Sequence, residues 1–158
     1  MLKKIANGLG WLFLVIALLL LGKKKKPKEK TTDWKEVQAL LKKEIPKAAL
    51  FLVDEKYYIP DIAEVKDFLK EDKTDLIKYL KDTFDCDDYA VLLAGASRLK
   101  SKFRLGVACS VIHAYNIIPV IEDGEMRIKI IEPQTDQIFS VQEAEKGSKA
   151  YKTKFVWL

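Results

Sequence analysis

Cys86, His113, Asn116 and Glu132 are the residues whose types and order could do chemistry in this chain of 158 residues, which has two cysteines and a single histidine. A thiol is weakly ionised at neutral pH, so an attacking cysteine needs a helix N-terminus or an imidazolium to stabilise its thiolate. The same imidazole can then protonate a leaving group, and a third side chain must hold it in the right tautomer. Cys86 as nucleophile, His113 as general base and acid, and Glu132 as orienter of His113 make such a set. The setting "CDDYA" works against it at first sight, because Asp87 and Asp88 follow the cysteine and negative neighbours raise a thiol pKa. Each residue taken singly also has a plainer reading. Cys86 can be a small buried hydrophobe, His113 a partner of a backbone carbonyl, and the two aspartates a complement to a helix dipole. Cys109, in "VACSV", reads as core packing, and a Cys86 to Cys109 bridge is open only in an oxidising compartment.

These residues depend on the elements that carry them. "DDYAVLLAGASRLKSK" places Ala90, Leu93 and Ala94 on one face and predicts a largely buried helix starting at or beside Cys86. "GVACSVIHAYNIIPVI" and "MRIKIIE" are β-branched runs joined by "EDGE", a hairpin-turn signal. That turn sets residues whose numbers sum to about 247 opposite each other, which puts Glu132 within reach of a strand-borne His113. Pro119 predicts a bulge or an edge position. Upstream, "TTDWKEVQALLKKEI" predicts an amphipathic helix ended by Pro46, and Ala49 to Val53 a short buried strand with Tyr57 and Tyr58 in the connection that follows. "IAEVKDFLK", capped by Asp61, and "LIKYLKDTF", capped by Thr74 or Asp75, predict two short helices. Further strands are expected at Ile138 to Val141 and Lys154 to Trp157. Helices first and antiparallel strands later predict an α+β domain.

The charge is unevenly placed. Residues 1–30 carry a net +7 against +5 for the whole chain, so the remainder is net acidic by two. A basic pI is thus a property of the leader and argues against a nucleic-acid partner. From Ile5 to Gly22 no residue is charged, and eighteen helical residues span about 27 Å, near a bilayer's hydrocarbon thickness. "KKKKPKEK" follows, with no small-residue cleavage site, so a single-pass transmembrane anchor over 1–22 is favoured over a secretory signal. A basic tether over 23–31 would meet anionic lipid headgroups through Lys23 to Lys30, and the domain over 32–158 would face the cytoplasm, with an outward orientation left open. Two cysteines are too few for a disulfide framework and lack zinc-site spacing.

In their order, "CDDYA", "HAYNIIPVI" and "IIEPQT" resemble the transglutaminase-like and papain-like cysteine peptidase superfamily. Within it they are most similar to the calcium-dependent cysteine-protease domain of a fairy-ring-mushroom agglutinin and of related phage and bacterial proteins. The resemblance covers roughly residues 50–140 and rests on three short motifs. It implies a papain-like or transglutaminase-like core, with N-terminal helices, the nucleophile helix among them, packed on a C-terminal antiparallel sheet, to which the leader adds one preceding transmembrane helix. It implies a membrane-anchored cysteine peptidase-like hydrolase acting on a peptide or protein through an acyl-thioester at Cys86, with His113 and Glu132 completing the triad. A protein cross-linking transamidase shares the first half-reaction, and a catalytically inactive membrane-tethered binding module shares the fold. Calcium or another hard divalent cation is implied near Asp87 and Asp88, with Asn116 or Gln134 contributing oxygens, and no organic cofactor. Tyr79 stands where the superfamily often keeps an oxyanion donor, and the backbone N–H of Cys86 is the alternative.

Overall fold

β-Branched residues crowd the stretch from 114 to 131, and in a computed structural model of the chain, which describes residues 30–158, they form the centre of the fold. Strands β5 (Ala114–Glu122) and β6 (Glu125–Glu132) meet at a turn where Asp123 (φ 52°) and Gly124 (φ 80°) both take positive φ, the geometry of a two-residue hairpin. Asn116 faces Ile131 and Glu122 faces Glu125, the register that the turn predicts. Around this hairpin lie β4 (Gly106–Cys109), β7 (Gln137–Ser140), β8 (Phe155–Trp157) and β2 (Ala49–Phe51), in the order β2-β8-β4-β5-β6-β7. All neighbours are antiparallel except β2 and β8, which run parallel. A separate antiparallel ribbon joins β1 (Thr31–Asp33) to β3 (Lys56–Tyr58).

Pro119 sits in the middle of β5 without breaking it. Its neighbour β4 pairs with β5 only as far as Ile117, and beyond that Ile121 N–H donates to Pro60 O at 2.8 Å. Pro119 therefore falls in a gap along that edge, where a missing N–H leaves no ladder bond unmade.

Among the described residues four α-helices cover the sheet: α1 (Trp34–Glu44), α2 (Ile62–Glu71), α3 (Cys86–Lys100) and α4 (Val141–Gly147). Val37 and Leu41 of α1 and Val141 and Ala144 of α4 pack with Tyr115, Ile117, Ile128 and Ile130 on one face. Val65, Phe68 and Leu69 of α2 and Leu93 and Ala94 of α3 pack with Ile118, Val120 and Ile131 on the other. Burial on both faces explains why β5 reads as one apolar run rather than an alternation. Each fully buried isoleucine here contributes about 1.5–3 kcal/mol.

Several expectations are corrected. The α+β order of helices followed by an antiparallel sheet gives way to a mixed sheet with helices on both faces, because β2, from the N-terminal half, joins β8 at the sheet's edge. The helix expected in "LIKYLKDTF" is reduced to a 3-10 turn over Thr74–Leu76. Leu76, Tyr79 and Leu80 are exposed, so that segment has no apolar stripe to bury. The single long strand expected through His113 is broken at Ser110, whose Oγ accepts from Ile112 N–H and His113 N–H, so His113 lies in a turn before β5. The anchor over 1–22 and most of the tether over 23–31 fall outside the described residues. Among the described residues no helix is long and apolar enough to cross a membrane, and the transmembrane helix of the expected fold class and the single-pass membrane localisation find no support in them. Lys30, expected against lipid headgroups, is instead held by Asp61 at 2.6 Å and Glu64 at 2.9 Å.

Candidate functional site

The start of α3 is built by aspartates. Asp85 is the N-cap, and its own N–H donates to the Asp88 carboxylate at 3.1 Å, so Asp88 closes the first turn as a capping box does. Asp82, at φ 59°, donates its N–H to Asp85 Oδ2 at 3.2 Å and tightens the approach. Cys86 is thus the first helical residue, half-buried and free, at the positive end of the helix dipole. Asn116 locks this helix to the sheet: its Nδ2 donates to Ala90 O at 2.8 Å and to Gly106 O at 3.0 Å. Ala90 lies one turn beyond Cys86, so the start of α3 and the start of β5 share one end of the molecule.

At that end His113 and Glu132 meet. His113 Nε2 lies 2.7 Å from Glu132 Oε2, with side-chain exposures of 17% and 9%. The same carboxylate oxygen accepts the Tyr151 hydroxyl at 2.8 Å, and Oε1 accepts Gln134 N–H at 3.3 Å. Burial pushes the Glu132 carboxyl up, but the bonds from His113, Tyr151 and Gln134 outweigh it and hold the group below the ordinary carboxylate value. Burial first, then the Glu132 hydrogen bond, pushes the Tyr151 hydroxyl well up. Tyr151 also sets its ring edge-on to His113 at 5.5 Å. Tyr115 supports the group from below, with its hydroxyl 2.7 Å from Thr153 Oγ1 and its pKa pushed up to about 12, chiefly by burial.

The expected residues are distributed unevenly over this geometry. His113 and Glu132 come together, while no hydrogen bond joins the Cys86 thiol to the His113 ring among the described residues. The Glu132 bond occupies Nε2 of His113 and leaves Nδ1 for another partner. Asn116 is fully buried between α3 and the sheet, with its Oδ1 unpartnered. Gln134 acts on Glu132 through its backbone N–H. Tyr79 is 48% exposed and stacks on Tyr89. Desolvation and then the negative groups of Asp85, Cys86, Asp82 and Asp87 push its hydroxyl up, which places it beside the start of α3. For a cation, Asp85, Cys86 and Asp87 bring ligand atoms within 4.8 Å of one another, while Asp88 is engaged in the cap. Two carboxylates suit a hard cation, a thiol does not, and calcium takes six to eight oxygens. Cys109, opposite Ala114, has its thiol pushed up by burial and then by Cys86 and Asp87. Tyr151, absent from the expected set, reaches Glu132 from a 3-10 turn over Lys149–Tyr151 that no sequence spacing ties to position 132.

No protein-family profile and no curated protein matches this chain. Its fold is similar to PSL1a, solved as a complex with E64, at 20% identity and a TM-score of 0.64, covering 82% of this chain and 50% of that one. It is also similar to a Polyporus squamosus lectin bound to the human-type influenza-binding epitope Neu5Acα2-6Galβ1-4GlcNAc, at 19% identity and a TM-score of 0.61, with the same coverage. The chain therefore spans about half the length of these structures, and at this identity the likeness is one of fold. Neither structure is named for a papain-like or transglutaminase-like peptidase, and one is named for a lectin, so the assignment to that superfamily is not kept. The hydrolase and transamidase readings, the enzyme and its peptide substrate entered through that resemblance and are corrected with it.

Proposed function

We propose that residues 30–158 act as a ligand-binding module, with the ligand seated at the end of the sheet where Cys86, His113 and Glu132 are placed. The His113–Glu132 pair carries this reading. Burying an imidazole and a carboxylate 2.7 Å apart is a weak source of stability compared with an apolar pair of the same volume. Such a pair at the same end of the molecule as a half-buried thiol at a helix start marks a site with work to do on a ligand. The neighbours suggest two ligands to try. A glycan is supported by the lectin bound to its sialylated epitope, and E64 by the PSL1a structure solved as its complex. The same end of α3 supports a hard cation held by Asp85 and Asp87, in place of the expected Asp87 and Asp88.

The test uses the full chain with each ligand. Intact-mass spectrometry after incubation with E64 is expected to find one adduct, located at Cys86 and lost in C86S. Calorimetry with Neu5Acα2-6Galβ1-4GlcNAc is expected to detect binding that H113A weakens. Adducts shared equally with Cys109, together with no heat from the trisaccharide, would remove this site from consideration. For the cation, calcium is expected to raise the melting temperature of the wild type and not of D85N; a wild type indifferent to calcium and to chelation excludes it.

A further inference from the structure

The two cysteines of the chain lie on different elements, Cys86 at the first position of α3 and Cys109 at the last of β4, and both are free and half-buried. The sheet register decides where Cys109 points. Directly paired residues of antiparallel strands place their side chains on one face. Cys109 pairs with Ala114, as Val107 pairs with Asn116. Asn116 bonds to Ala90 O of α3, and Val107 packs on the α2 and α3 side of the core. Side chains alternate along a strand, so Cys109 shares that side with Val107, while Ala108 between them joins the other side of the core. Cys109 is thus on the face of the sheet that α3 covers.

The helix brings Cys86 to the same level. Leu93 and Ala94 of α3 pack with Ile118 and Val120 of β5, later in both elements than the bond from Asn116 to Ala90, so α3 and β5 run the same way. Four residues back along the helix from that bond, about 6 Å, stands Cys86. Two residues back along β5, about 7 Å, stands Ala114, with Cys109 beside it. The residues one turn on from Cys86 and across from Cys109 are both alanines, Ala90 and Ala114, so neither puts bulk between the two thiols. In keeping with this placement, the Cys86 group follows burial among the causes that push the Cys109 thiol up.

We propose that Cys86 and Cys109 form a reversible disulfide, with Cys86 as the thiol modified first and Cys109 as the one that resolves it. Cysteines that only fill a core have no reason to share a level and a face, and the two in this chain do. A small disulfide such as oxidised glutathione is the oxidant, as an oxidising compartment supplies it. The Cys86 thiolate attacks one of its sulfurs, forming a mixed disulfide and releasing one glutathione. Cys109, its proton given up to water, then attacks the Cys86 sulfur, and the second glutathione leaves as a thiolate that takes up a proton. Two protein thiols are oxidised, and one small disulfide is reduced to two thiols. Burial shields Cys109 from reagents in solution but not from a neighbour on the same face. The bridge withdraws the Cys86 thiol from the end of the sheet and draws the first turn of α3 towards β4, since bridged Cα atoms lie about 4.4–6.8 Å apart. The inference rests on the positions of the two thiols and not on any ligand.

The test is intact-mass spectrometry of the full 158-residue chain treated with oxidised glutathione, alongside C86S and C109S. The wild type is expected to lose two hydrogens and keep no glutathione, and peptide mapping without reductant joins the Cys86 and Cys109 peptides within one chain. C109S stops at a single lasting glutathione adduct on Cys86, and C86S takes up none over the same time. Dithiothreitol returns the wild type to its starting mass. A wild type that keeps its adduct as C109S does overturns the proposal, because Cys109 then fails to reach Cys86. So does a wild type with adducts on both cysteines, one bridged only between chains, or one that oxidised glutathione leaves unmodified. The wild-type mass decides the matter even if a serine variant fails to fold, and no outcome depends on the binding of E64 or of the trisaccharide.

Discussion

Replacing Glu132 by glutamine keeps the outline of the side chain and removes its charge at the point where three donors converge. His113 Nε2 at 2.7 Å, Tyr151 Oη at 2.8 Å and Gln134 N at 3.3 Å all address this one carboxylate. Hydrogen bonds to a charged group contribute about 1.5–3 kcal/mol each, and breaking a buried pair by removing one partner costs about 3–5 kcal/mol. An amide oxygen still accepts from Tyr151, so the expected loss for E132Q at pH 7 is about 2–3 kcal/mol, or roughly 10 °C in melting temperature for a domain of this size. The pH dependence has a definite sign. The folded pKa of Glu132 lies below its unfolded value of about 4.3, so in falling pH the unfolded state takes up the proton first. The stabilisation is therefore complete above the unfolded pKa and is lost as pH falls through the folded one. Urea unfolding followed by tryptophan fluorescence at pH 7 and in a descending series through the acid range measures both parts. Y151F gives the second corner of a cycle, with a coupling of about 1 kcal/mol or more expected between the two changes. An E132Q protein within about 0.5 kcal/mol of the wild type at pH 7, or one whose deficit persists in acid, would refute the reading of this pair.

Asp136 offers the opposite sign: burial, then Asp75 and Asp72, push its carboxyl up to about 6 at a residue with φ 56°. Here the folded state holds the proton longer than the unfolded one, so stability falls as pH rises from about 4 to 6, and D136N, which suits a left-handed backbone, is expected to gain about 1–2 kcal/mol at pH 7.5 and nothing near pH 4; equal gains at both pH values would contradict it. A Cβ at Gly106 would lie 2.8 Å from Trp157 O and 2.9 Å from Leu158 Cδ1, and the first of these is backbone. G106A is therefore expected to lose about 1–3 kcal/mol in chemical denaturation, and a neutral result would mean that β4 and β8 can part without cost. In the folded protein at pH 8, Cys109 is expected to react with iodoacetamide more slowly than a free cysteine, because burial and the groups of Cys86 and Asp87 hold its thiol neutral; peptide mapping that finds Cys109 modified at the free rate argues against this.

What the sequence reveals depends on how local the determining contacts are. The Asp123–Gly124 turn sets the β5–β6 register by itself, so the meeting of His113 with Glu132 is legible in "EDGE" and the residue count on either side of it. The same local logic covers Asp85 and Asp88, a capping pair at i and i+3, and it makes Asp88 a helix cap where the sequence reading has a metal ligand. The break at Ser110 is harder, because "VACSVIHAYN" has unbroken strand propensity and only the serine hydroxyl, taking two backbone N–H groups, turns the chain. Tyr151 and the β2–β8 pairing are not legible at all. Both need the C-terminal segment to return across the sheet, and no periodicity encodes where it lands. The family motifs mislead for a different reason. "CDDYA" and "IIEPQT" describe how a helix starts and how a strand ends, and the fold needs both features whatever the site does. A short motif whose residues are already committed to caps and turns therefore says more about architecture than about chemistry. In this chain the groups that the architecture leaves over are the Cys86 thiol and Nδ1 of His113.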